Sequence, residues 1–361
     1  MRLIRRLSLS LGLLALLALV ACAPEPEPEI APPDPLAAFE SGAWPHPFDR
    51  LTLDPGRNYV ILAQVPAPIR YDMTTPETAR AAFRRLLHQP WRLIREGTFY
   101  GHVITGWSCA DGHRGLVAKT GADQSLFFRM LGAGWGAGAA LATYEGAHLV
   151  PLAQIDHGHL AILTEGRGHI LAVETTATDC AAMRDSLVAY LAHPDHPETV
   201  FSVTARAEEM RGDVCLTFAL WLAQKGGALR GVAPALDRTI PLNSAWIGAG
   251  TDLPEGVTPL PTDRPAPGPI PLSQILARPW DSGTDLGSLT MADPELLFTA
   301  LTGLRQAAGL ADGFHARRAL PADDPSAARA RAALLDWARG WPVWRLDRQG
   351  PLAAIILERA P

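Results

Sequence analysis

An almost unbroken apolar run from Leu7 to Val20 follows Arg2, Arg5 and Arg6 and closes on Ala21-Cys22, and it decides how much of this chain is available to fold. A basic start, a short apolar stretch and small residues before a cut describe a secretory signal peptide. A spanning helix needs roughly 20 apolar residues, more than this run supplies. Ala23 to Pro35 then reads APEPEPEIAPPDP. Proline gives neither helix nor ladder hydrogen bonds, and the glutamates repel one another, so the stretch is expected to be an extended, solvated spacer. The expected division is a signal peptide over 1–21, a tether over 22–45 and a folded body beyond it.

Leu19-Val20-Ala21-Cys22 resembles the lipobox of bacterial lipoproteins. The resemblance implies that Cys22 is diacylated, palmitate-like chains included, and becomes the first residue of the mature chain. It also implies a place in the cell envelope. Ala23 rather than aspartate follows the cysteine, which implies the outer membrane, facing the periplasm, with the bilayer as a partner.

Losing the three signal arginines lowers the formal net charge from −5 to −8. Lys119 and Lys225 are the two lysines against thirty arginines, and no basic patch stands out, so a nucleic-acid partner is not expected. With Cys22 set apart, Cys109, Cys180 and Cys215 remain. An exported chain meets an oxidising compartment. Cys109 and Cys180 each lie at the edge of an expected element, so they are expected to pair and to leave Cys215 as a thiol. No C-x-x-C or Cys/His zinc spacing is present, and no cofactor is expected. GAGWGAG at Gly132–Gly138 does not fit G-x-G-x-x-G and is expected to be a flexible loop.

Patterning predicts an α+β body. Strands are expected at Asn58–Gln64, Phe99–Trp107, near Leu116, and at Val200–Ala205. His157–Leu163 and His169–Glu174 are read as a hairpin turning at Glu165–Gly168. Helices are expected at Pro76–Arg95, capped by Thr75 with proline first, and at Asp179–Leu191. The clearest helix is Asp213–Lys225, capped by Asp213, striped by Val214, Cys215, Phe218, Ala219 and Leu222, and stopped by Gly226-Gly227. Dense proline over 251–275 suggests a linker or a long surface excursion. Two helices, Pro294–Ala308 and Ser326–Gly340, and a hairpin, Val343–Leu346 with Leu352–Leu357, would form a small C-terminal α/β extension over 276–361 or add strands to the main sheet.

The chemistry in view is a thiol. Cys215 opens its helix, where free backbone N–H groups and the helix dipole favour thiolate. It also lies on the apolar stripe, where buried cysteine is ordinary. Two strand histidines compete to be its base. His102 lies in Gly-His-Val-Ile, and His159 would sit across its hairpin from Glu174, a carboxylate able to fix its tautomer. His113 and Lys119, the latter opposite His102 in simple pairing, are weaker candidates for an orienting group. His157 and His159, two apart in a strand, would share a face, but two ligands do not make a metal site.

A strand histidine followed about a hundred residues later by Cys215-Leu-Thr-Phe218 at a helix start resembles the circularly permuted papain-like cysteine hydrolases. The lecithin retinol acyltransferase-like and amidase branches are included, and the resemblance covers roughly residues 98–230. It implies a papain-like antiparallel sheet packed on the Cys215 helix, over 46–250. It implies Cys215 as nucleophile, with His102 as base or, in the amidase order, His159 with Glu174. Val214 stands where those families usually carry a polar or aromatic residue. Two functions follow. One is a thiol hydrolase, amidase or acyltransferase acting on peptidoglycan peptide, lipid or an envelope protein. The other is a non-catalytic envelope lipoprotein that uses the same frame for binding or scaffolding.

Overall fold

The computed structural model describes residues 34–360, except 41–42, 90–100, 122, 311 and 350. Cys22 and most of the tether lie outside the described residues, as do 90–95 of the expected first helix and 99–100 of the following strand.

Along the chain come β1 (Asn58–Val65), α1 (Pro76–His88), β2 (His102–Ser108), β3 (Arg114–Thr120), α2 (Gln124–Gly132), β4 (Thr143–Glu145) and β5 (His148–Val150). There follow α3 (His157–Thr164), β6 (His169–Thr175), α4 (Ala177–Leu191), β7 (Val200–Phe201), α5 (Cys215–Lys225), β8 (Asp237–Asn243) and β9 (Val257–Thr258). The last part holds α6 (Leu272–Ala277), β10 (Asp285–Ala292), α7 (Pro294–Ala307), α8 (Gly313–Arg318), α9 (Pro325–Ala338), β11 (Val343–Gln349) and β12 (Leu352–Glu358). The protein is thus a mixed α/β structure.

Its main sheet has seven strands in the order β11-β12-β6-β1-β2-β3-β5. Neighbours run antiparallel except β12 beside β6, which are parallel. β1 is central, and its run Tyr-Val-Ile-Leu-Ala-Gln-Val is buried on both faces, as a strand covered on both sides must be. Val60 and Leu62 join the larger core beneath α4 and α5, while Tyr59, Ile61 and Ala63 join a second core with α3, Trp44 and Phe48.

Residues 35–361 form one compact unit. Within the proline-rich stretch, Val257, Leu260 and Ile270 are buried in the larger core, and Val257 pairs with Tyr144. The C-terminal hairpin extends the main sheet through β12. The region expected as a flexible loop includes the end of α2 and a 3-10 turn over Ala137–Leu141 that is largely buried.

Cys109, just beyond β2, and Cys180 on α4 are joined by a disulfide, 71 residues apart in sequence. Closing a loop of that length restricts the unfolded chain. A Cys109→Ala/Cys180→Ala variant is expected to lose about 2–4 kcal/mol of stability in urea unfolding. A loss well below 1 kcal/mol would mean that the bridge adds nothing to the fold.

Candidate functional site

Cys215 is the first residue of α5, with Val214 at the cap position. Thr217 closes that turn, its Oγ1 accepting the Val214 N–H at 3.0 Å. Asp213 is not the cap expected from the sequence. Its carboxylate turns into the core and pairs with Lys119 on β3, and both side chains are fully buried. Tyr190 Oη donates to Asp213 at 3.0 Å, and Lys119 Nζ donates to Tyr190 Oη at 3.0 Å and to the Pro197 carbonyl at 2.7 Å. Burial pushes the Asp213 carboxyl up to about 6, against the opposing pull of Lys119. It also lowers the Lys119 ammonium, which Asp213 partly offsets.

The nearby backbone of Val103, Leu216 and Cys215 itself favours the thiolate. Burial outweighs it and pushes the thiol up to about 11. The residue is half-buried and lines a cavity of about 50 Å³ with Phe201, Val203, Val214 and Leu216.

Neither histidine reaches it. Strand alternation puts successive residues on opposite faces. Val103 lies in the core beneath α5, whereas Ile104 lies in the core beneath α3. His102 shares the side of Ile104, and its ring stacks on His159 with centroids 4.6 Å apart. No hydrogen bond joins Cys215 to either ring. Burial holds His102 well below its ordinary value, with His159 adding to the effect. The two members of the expected pair occupy opposite sides of the sheet.

The His159 reading needs further correction. His157–Thr164 is helix, not strand. Asp156 Oδ1 caps it, accepting the Gly158 N–H at 2.7 Å and the His159 N–H at 3.2 Å. Glu174 therefore cannot sit across from His159. On β6 it faces Tyr59 and accepts from Arg57 Nη1 at 2.9 Å and from the Arg359 N–H at 2.6 Å. His157 and His159, two apart on a helix, do not share a face. The β2–β3 register puts Ala118 opposite Ile104, so Lys119 falls opposite Val103 rather than His102. His113 Nδ1 lies 2.9 Å from Glu40 Oε2, in a cluster with Arg184.

A second feature escapes motif reading. A cleft of about 220 Å³ opens among Ala79 and Phe83 of α1, Ala140, Leu141, Trp246 and Trp280. The two indoles stack with centroids 5.1 Å apart. Tyr71, Met73, Ala140 and Leu141 also line the Cys215 cavity, so the two spaces adjoin. At the polar end lies Arg238, 5% exposed. Its Nε donates to Asp293 Oδ2 at 2.7 Å and its Nη2 to Asp324 Oδ2 at 2.8 Å. Each aspartate also caps a helix whose next residue is proline. Thr74 Oγ1 donates to the same Asp324 oxygen at 3.0 Å, one residue before the cap of α1. Three Thr/Asp-Pro helix starts thus meet around one guanidinium. Each start is visible locally in the sequence, but their meeting is not.

In comparisons with known proteins, no family model matches this chain, and neither a curated protein sequence nor a solved structure matches it.

Proposed function

We infer that this is a lipid-anchored cell-envelope protein that uses a papain-like frame for binding, with Cys215 as a packing thiol. The anchor and the outer-membrane address rest on Leu19–Cys22 and Ala23. The frame reading is supported by α5, which begins at Cys215 and packs on the antiparallel strands β1, β2 and β3. The observation that carries the non-catalytic reading is the separation of Cys215 from His102 and His159 by the sheet itself. A nucleophilic thiol needs a base within hydrogen-bond reach or a lowered pKa. Here the base is on the other face and the thiol is pushed up to about 11.

The test is alkylation of the native protein by iodoacetamide across pH 6–11, with mass-spectrometric mapping of Cys215. The expected result is negligible labelling below pH 9, rising only near pH 11 or after unfolding. Fast labelling at pH 7 that disappears in His102→Ala or His159→Ala would restore the alternative, a thiol hydrolase, amidase or acyltransferase acting on peptidoglycan, lipid or protein. The place of Cys215 at the start of α5, with backbone around it that favours the thiolate, is what favours that alternative.

A further inference from the structure

The cleft beside Arg238 is built to receive something. Arg238 is more than nine-tenths buried, yet its bonds use only Nε and Nη2. Nη1 keeps two N–H donors without a protein partner, on a residue that lines the cleft. Ser326, the second residue of α9, also lines it, and its hydroxyl makes no bond. Neither atom is among the buried side-chain atoms left without a partner, so both are open to the cleft and can meet water or a ligand there. Thr74, Thr75, Thr239 and Asp324 share this polar end, and the remaining walls are largely apolar, with Phe83, Ala140, Leu141, Trp246 and Trp280. A few convergent polar groups in an otherwise apolar concavity are the usual make-up of a small-molecule site.

Charge narrows the class. Arg238 already faces two carboxylates, Asp293 and Asp324. An anionic head group would join them and be repelled. A cationic one would meet the donor face of the guanidinium. A neutral acceptor, a carbonyl oxygen, suits the free N–H groups. Size narrows it further. A dry cavity of roughly 150 Å³ takes a benzene, and this cleft is about 220 Å³ with the Cys215 cavity adjoining it. That leaves room for a chain longer than a single ring.

We propose that this cleft binds the acyl portion of an uncharged ester or amide, its carbonyl received by Arg238 Nη1 and Ser326 and its hydrocarbon chain laid between the stacked indoles and Leu141 toward Cys215. The assignment names a ligand class for the binding reading above and rests on it.

The experiment uses the purified full-length chain. Saturation-transfer NMR and titration are run with methyl hexanoate and N-methylhexanamide, against hexanoate and hexyltrimethylammonium. The neutral carbonyl probes are expected to bind at least tenfold more tightly than either charged one. Ala140→Phe, which fills the cleft, should abolish binding, and Ser326→Ala should weaken it several-fold. Both variants must melt cooperatively, and neither touches the Arg238 ion pairs. Absence of binding by the neutral probes, preference for hexanoate, or binding untouched by Ala140→Phe would overturn the assignment. The iodoacetamide series is run on the same samples. A reactive Cys215 overturns the non-catalytic reading, whereas a silent thiol with no probe bound overturns the ligand class alone.

Discussion

Arg238→Ala will lower the free energy of unfolding by about 3–5 kcal/mol, the size expected when one partner of a buried ion pair is removed and the other charge is left behind. Here two carboxylates are left. Asp293 and Asp324 are both nearly inaccessible, and each spends its second oxygen capping a helix, Asp293 on the Glu295 N–H and Asp324 on the Ser326 N–H. Asp324 also holds Thr74, so the loss spreads from α9 to the start of α1. Arg238→Lys should recover only part of the loss, because an ammonium cannot span two acceptors as a planar fork does. Arg339→Ala is the comparator. It breaks the Arg339–Asp336 pair, whose side chains are 75% and 65% exposed, and exposed pairs of this kind contribute little. Urea unfolding of the three variants decides the matter. An Arg238→Ala loss no larger than that of Arg339→Ala would mean that the hub carries no stability.

Acidification from pH 7 to pH 5 will destabilise the protein, beginning near pH 6.5 rather than near the carboxylate range. Two opposing groups set the sign. Burial lowers His102, His159, His169 and His315, the first and third of them strongly. Below the ordinary histidine value the unfolded chain binds protons that these four rings refuse when folded, so stability falls as pH falls. Burial raises Asp213 and Asp293 to about 6. Between about pH 4 and 6 the folded chain holds protons on them that the unfolded chain does not, and this pushes stability the other way. At most four histidine protons stand against two carboxyl protons. A net excess of up to two protons on the unfolded state corresponds to roughly 1–3 kcal/mol lost per pH unit. A His102→Leu/His169→Leu variant should flatten or reverse that slope. An unchanged slope in the double variant, or a wild-type stability that rises on going from pH 6.5 to 5, would contradict the assignment.

Elements with explicit punctuation were legible in the sequence. The Thr75-Pro76 start, the Gly226-Gly227 stop, the central apolar strand from Asn58 and the terminal hairpin all fall where local chemistry puts them. His157–Thr164 did not, because a short apolar run of eight residues fits strand and helix alike. Asp156, with its side chain on the second and third N–H groups, was the signal that decides it. Proline density around residue 260 suggested exposure, yet Leu260 and Ile270 are buried. Proline forbids ladder bonds, not packing. The Cys215 site shows a different limit. Parity alone says that His102 and Val103 face opposite sides of a strand. Which side the cysteine helix covers is a tertiary fact, and it turned the expected pair into two strangers. The Arg238 hub joins residues 238, 293 and 324, a juxtaposition for which no local pattern exists.

The parallel seam between β6 and β12 has a consequence for the order of events as the chain is made. Ile170–Val173 must wait for Ala354–Leu357, more than 180 residues downstream, before that edge is closed. Until those residues emerge, a strand built of Ile, Leu, Ala and Val presents open backbone groups beside a nearly complete core. Such an edge is a template for pairing with any other extended chain. The nascent protein therefore passes through a long interval in which its central sheet is sticky, and its fate in that interval depends on what shields β6 rather than on the stability of the finished fold.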